Sequence, residues 1–215
     1  MENKNQNTFL NKFNFLIHTF CAKEVTRPEI GGIFITPSHT TATDSFTMIK
    51  VSTPKNLDVN DYPVIPNRPK PISDFKSFIL SKEKAKSIVS IFNSQEDSDS
   101  LPILNNAVIV RNDKERVEIG KTDLESYDSI MSRKVEGEFP KYNELFEESG
   151  KFIEIEVNPK LLKKVIDFYV NFIDSPKGSI KIKIPVKKDS PIRFNAKRMD
   201  GQETSALLAI VKTDE

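Results

Sequence analysis

Tryptophan is absent, cysteine occurs once, and only seven glycines are spread over the 215 residues. Each shortage excludes something. The single Cys21 forbids an internal disulfide framework and a cysteine-built zinc site. With so few glycines there is little room for a phosphate-cradling loop. The two histidines, His18 and His39, have no acid or cysteine at ligand spacing, so neither a metal nor a cofactor is expected. No serine lies in a nucleophile-elbow pattern, and no catalytic residue is expected. An excess of one charge is missing too. Lys and Arg number 32 against 31 Asp and Glu, a net charge of +1. Strong global attraction to nucleic acid is therefore not predicted, although a local basic face balanced by acid elsewhere stays open. No apolar run approaches the roughly 18 residues of a membrane helix. The polar start, MENKNQNTFLNKF, lacks the apolar stretch of a signal peptide. The expectation is a soluble cytoplasmic protein without a membrane partner.

What is present supports a core: 37% of residues are hydrophobic, 15 of them Phe, too many for wholesale disorder. The chain repeats an order of elements rather than of letters. A first unit opens with a helix over 9–23, with Leu10, Phe13, Ile17, Phe20 and Cys21 on one face. Strands follow in GGIFITP, TTATD and FTMIKVS, whose β-branched and aromatic residues suit a half-buried pleated surface. A Pro-rich stretch, 56–75, is a crossing loop, because proline cannot donate to a ladder. A second unit begins with the strand SFILS (77–81) and a helix over 82–92, with Ala85, Ile88, Val89 and Phe92 on one side. Strands NNAVIVRN, RVEIGKT and YDSIMSRKVEG complete it.

The third unit is the most regular. KFIEIEV (151–157) alternates as a strand. Asn158 is a good N-cap, and Pro159 stands at the favoured first helical position. The helix PKLLKKVIDFYVNF carries an apolar stripe of Leu161, Leu162, Val165, Ile166 and Tyr169. SPKG ends it, and strands SIKIKIP, PIRFNAK and SALLAIVK follow. The reading is an α+β fold of β-α-β-β-β units, the first strand of the first unit short or absent, with helices on one face of antiparallel sheets. Residues 1–148 form a domain of two units (1–55 and 76–148), and 149–215 form a third unit, half of such a domain.

Three groups of residues carry a family resemblance. Arg27-Pro28 is followed by Ile33-Phe34-Ile35 and then by the triplet Ala42-Thr43-Asp44. VEGEFPKY (135–142) contributes Gly137, Phe139, Pro140 and Tyr142. In this order, on a repeated frame, they resemble the bacterial DNA polymerase III β sliding clamp. Residues 25–51 are similar to its middle domain, and the third unit to half of its last domain. The resemblance implies that Asp44 closes a turn between strands, accepting backbone N–H groups, rather than acting as a buried catalytic carboxylate. It also implies a non-catalytic accessory subunit, a processivity factor that holds double-stranded DNA topologically, with helices lining the hole. Such a protein would bind a DNA polymerase and a clamp loader.

Clamp rings resemble closed cycles of twelve units, and a full subunit has six. Three units per chain would then need four chains; the alternatives are that the half-domain of each chain pairs with its neighbour's or that the ring does not close, and an unpaired half-domain has exposed strand edges that invite self-association. Expected backbone contacts to DNA come from the polar helix faces: Lys12, His18 and Lys23, then Lys82, Lys84 and Lys86, then Lys160, Lys163 and Lys164. Among these helices' acids are Glu83 and Asp167, while Glu96, Asp97 and Asp99 would lie outside. The family's Gly-His-Arg after the triplet is Ser45-Phe46-Thr47 here, and its Met-Pro-Met falls near Ala209-Ile210-Val211. Those two places line the family's partner-peptide groove, so Thr43, Phe46, Thr47, Met48, Leu208 and Ile210 would form a groove of altered shape; the alternative for Phe46, Met48, Leu208 and Ile210 is ordinary core. The competing reading is a clamp-derived interaction module that binds replication proteins without encircling DNA.

Overall fold

The computed structural model describes residues 8–23, 26–55, 57–94, 101–147, 153–173, 178–186, 190–198 and 202–210. The fold is α+β, and every strand pairing is antiparallel. Contacts divide the chain into two compact units: the first, Met1–Leu145, holds the first two β-α-β-β-β repeats of the sequence, and the second, Phe146–Glu215, holds the third. None of the helices described is long and apolar enough to cross a membrane.

In the first unit, strand β1 (Phe9–Leu10) leads into helix α1 (Lys12–Leu16), and strands β2 (Gly32–Ile35), β3 (His39–Thr43) and β4 (Met48–Ser52) follow. Strand β5 (Phe78–Ser81) then leads into helix α2 (Lys82–Ser94), and β6 (Ala107–Asn112), β7 (Arg116–Thr122) and β8 (Tyr127–Arg133) follow. The two halves exchange their first strands. The sheets run β1-β6-β7-β8 and β4-β3-β2-β5. The reason is burial: both sheets and both helices wrap one core, containing Leu10, Phe15, Ile33, Leu80, Ile88, Ile109 and Ile119. Neither half could cover that apolar surface by itself.

The single helix expected over 9–23 is corrected. Asn11 forms a capping box: its side chain accepts from the N–H groups of Phe13 and Asn14, and Asn14 Oδ1 accepts from Asn11 N–H. That box starts α1 only after Leu10, which is thereby released into a strand. After Leu16 the chain tightens into a 3₁₀ turn, Ile17–Phe20. Phe13, assigned to the apolar face, is 63% exposed. Asn14 takes the inward place, donating from Nδ2 to Thr40 Oγ1 and to the carbonyls of Val51 and Ser52, which ties α1 to the β3–β4 hairpin.

The Pro-rich stretch crosses between the halves without forming a strand among its described residues. Its Tyr62 packs beside Phe9 with Ile103, Leu104, Val108 and Val110. All four residues Ala107–Val110 are buried because β6 has the core on one face and this cluster on the other.

In the second unit, helix α3 (Pro159–Phe172) is followed by strands β9 (Lys181–Lys183), β10 (Ile192–Lys197) and β11 (Glu203–Leu208), in sheet order β11-β10-β9. Asn158 caps α3 by accepting from the N–H groups of Lys160 and Leu161, and Pro159 opens the helix, as its sequence predicts. Tyr169 is fully buried and donates its hydroxyl to the Phe194 carbonyl at 2.7 Å. The strand expected over 151–157 is not formed among its described residues: 153–157 join no ladder, and 151–152 lie outside the described residues. Leu161, placed on the inward stripe, is 49% exposed. The segment SPKG lies outside the described residues except for Gly178.

Candidate nucleic-acid interface

The helix faces of the first unit bring part of the expected cationic set together. Burial, with the nearby charges of Lys82 and Lys86, holds His18 below the usual imidazole value, so the 3₁₀ turn and the start of α2 are electrostatic neighbours. Lys82 is half-buried and donates from Nζ to the Cys21 carbonyl at 3.1 Å. It therefore pins the turn onto α2 as well as adding charge. Lys84 and Lys86 are exposed, as is Glu83. At about 100° per residue, Lys84 and Lys86 lie on opposite flanks of the buried stripe formed by Ala85, Ile88, Val89 and Phe92, with Glu83 outermost. Lys12 is partly exposed and Lys23 exposed.

On α3 the cations are grouped. Lys160, Lys163 and Lys164 share one exposed face at helical spacing with Asp167 and Asn171. Lys163 forms an ion pair with Asp167 one turn on. Both partners are solvent-exposed, so the pair adds little stability and leaves the face predominantly positive. Glu96, Asp97 and Asp99 lie outside the described residues.

The expected groove residues divide between the two units. Thr43 is buried, and its hydroxyl donates to the Thr47 carbonyl. Asp44 accepts from the N–H groups of Phe46 and Thr47 and from the Thr47 hydroxyl, which holds its carboxyl below the usual carboxylate range. That is the turn role, not the catalytic one. Phe46 projects from the tip of the turn, 95% exposed. Met48 packs at the edge of an aromatic cluster, where the Phe34 and Phe139 rings stack at 5.1 Å and Tyr142 closes on both edge-on. Tyr142 also hydrogen-bonds His39 Nε2. Phe139 and Tyr142 thus pack the end of the domain. In the second unit Leu208 is 3% exposed and belongs to the core with Tyr169, Ile192 and Phe194, while Ile210 packs against that core. Val211 lies outside the described residues.

What sequence reasoning missed is a row of exposed apolar groups in the second unit. Ile153, Phe168, Ile182 and Ile184 are each between 45% and 55% exposed. The signal was in the strict alternation of IEIEV and IKIKI, read only as a sign of strands.

No protein-family model matches the sequence, and no curated protein matches it either. Solved structures do match. The fold is similar to that of the Caulobacter crescentus β sliding clamp, with TM-score 0.65 and 12% identity, covering 100% of this chain and 53% of that one. The β subunit of DNA polymerase from Streptococcus pyogenes matches with TM-score 0.63 and 14% identity over 98% of this chain and 51% of that one. The Bacillus subtilis DNA polymerase sliding clamp matches with TM-score 0.63 and 17% identity over 97% and 50%. The chain has the sliding-clamp fold and spans about half the length of the solved clamps it matches.

Proposed function

We propose that this protein is a sliding-clamp-like processivity factor, which encircles duplex DNA and tethers a DNA polymerase during replication. The observation that carries the reading is the match of the whole chain to solved sliding clamps. Clamps do no covalent chemistry, and the protein is proposed as a non-catalytic cytoplasmic subunit that meets a clamp loader and a polymerase. Its DNA contacts are electrostatic and indifferent to sequence, made by the lysines of α2 and α3 with His18, Lys12 and Lys23 at the border. Three β-α-β-β-β repeats per chain make four chains the number for a closed cycle of twelve. The domain limits near residue 148 follow from the same division into a complete clamp domain and a half-domain.

A second reading has its own observation. Phe46 stands 95% exposed where the clamp family has a Gly-His-Arg run. An exposed aromatic in a run where Thr47 takes the place of the family's arginine favours a module that docks on replication proteins without encircling DNA.

Retention on closed circular DNA separates the two. Under the first reading the protein stays on a circle, leaves when the circle is cut, and is lost with the Lys84→Glu, Lys163→Glu, Lys164→Glu triple variant. Unchanged retention of the triple variant at low salt would overturn it.

A further inference from the structure

The second unit holds two strand-pairing surfaces that fit each other. Residues 153–157 read Ile-Glu-Ile-Glu-Val and form no ladder. Among the described residues β9 pairs with β10 only, so its other edge is open. Glu154, Glu156, Lys181 and Lys183 are all exposed.

The first unit shows where such a strand goes. Neither β1 nor β5 pairs with the strand after its own helix. Each crosses to the other half, β1 to β6 and β5 to β2. In both pairings the helix start lies beside the start of the strand that is joined, at offsets that differ by one residue. Leu10, the last residue before the cap Asn11, faces Ala107, the first of β6. Ser81, directly before α2, faces Gly32, the first of β2. Val157 stands directly before the cap Asn158, so an exchanged strand 153–157 would end beside the start of β9.

We propose that two copies of this chain exchange strands 153–157 across a twofold axis, each adding its strand antiparallel to β9 of the other, so that two half-domains become one complete domain. Side-chain matching selects the register: with Val157 opposite Ile180, one residue before β9, Ile155 faces Ile182 and Ile153 faces Ile184, while Glu156 faces Lys181 and Glu154 faces Lys183. Every pair is then apolar with apolar or acid with base, and opposite charges across strands are favourable. A slip by one residue sets isoleucine against lysine throughout. A strand that precedes its helix and an edge that follows it lie on the same chain, so the surface is self-complementary, as a twofold interface requires.

The helix agrees. In the first unit α1 and α2 pack together, with the rings of Phe15 and Phe92 6.0 Å apart. On α3, Leu161 and Phe168 lie two turns apart on one flank, 49% and 51% exposed. The partner's α3 covers that flank. Two copies then carry six β-α-β-β-β repeats, the complement of a full clamp subunit, in keeping with a chain that spans 53% of the Caulobacter crescentus clamp.

The inference rests on the fold and not on DNA binding, so light scattering without DNA tests it separately from the proposed function. The 215-residue chain should show twice its 24.5 kDa mass, or a multiple of that. Glu154→Lys with Glu156→Lys sets lysine against lysine, and Lys181→Glu with Lys183→Glu sets acid against acid. Each double variant should halve the mass while its circular dichroism is unchanged. An equimolar mixture of the two should recover the doubled mass, because every exchanged strand then meets an edge of opposite charge. A monomeric wild type, variants that keep the wild-type mass, or a mixture that fails to reassociate would overturn the proposal.

Discussion

Asp44 and Asp123 do the same work in the two halves of the first unit. Asp44 accepts from the N–H groups of Phe46 and Thr47; Asp123 accepts from those of Glu125 and Ser126. In each turn the preceding threonine donates its hydroxyl to a carbonyl four residues on, Thr43 to Thr47 and Thr122 to Ser126. The residue after each aspartate has positive φ, 75° at Ser45 and 81° at Leu124. The two β-β turns of the exchanged halves are thus one structure written twice, with Thr-Asp as its common letters.

That equivalence predicts matched effects. Asp44→Ala and Asp123→Ala should each lower the melting temperature by about a few degrees, since each leaves two backbone N–H groups without their acceptor. Leu124→Asn should raise it, because asparagine tolerates the left-handed region where leucine is strained. Thermal unfolding followed by circular dichroism reads all three. Opposite signs for the two aspartates would break the equivalence.

Gly32 marks the place where β5 enters from the other half. A Cβ there would lie 2.5 Å from the Leu80 carbonyl oxygen, closer than any side chain allows. Gly32→Ala should therefore push β5 from β2 and destabilise the domain by about 2 kcal/mol or more, a strand glycine being required where backbones approach. Urea unfolding measures it. Glycine is also required at Gly137, where φ is +116° and a Cβ would meet Glu29 Cβ at 3.3 Å.

Cys21 should resist thiol reagents while the protein is folded. Burial pushes its thiol up to about 12, against the pull of Lys82, and the residue is 3% exposed. Since only the thiolate reacts, labelling at pH 8 should wait on unfolding. As Cys21 is the sole cysteine, one labelling rate against urea reports it directly.

Acidification should weaken the fold in two steps. Burial holds His39 below the ordinary 6.5, helped by Lys50, and holds His18 below it as well. In the unfolded chain both bind a proton at about 6.5, and in the folded protein only at lower pH. Stability is therefore full above 6.5 and falls as pH drops from there towards the folded values. Backbone N–H groups hold Asp44, Asp113 and Asp123 below 3.8, and their contribution is lost as pH falls through those lower values. Melting temperatures from pH 8 to 3 test this, and His39→Gln should flatten the upper step.

The elements were largely legible because their signals are local. Asn158 and Pro159 announce α3, and the alternation of Val117 and Ile119 announces β7, whichever partner each later finds. The candidate interface was less legible. Lysine spacing placed Lys160, Lys163 and Lys164 on one face of α3, but nothing in the letters showed Lys82 turned back onto the Cys21 carbonyl. The letters left Leu208 open between a groove wall and a core place, and in the fold it lies in the core.

By itself the sequence determined which segments are helix and strand in most of the chain, through caps and periodicities that act within a few residues. Only the tertiary structure decided the inward place of Asn14, whose partners stand 26 to 38 residues on, and the exchange of β1 and β5 between the halves. The exchanged strands find partners roughly 100 and 50 residues away, and a strand records how it pairs but not with whom.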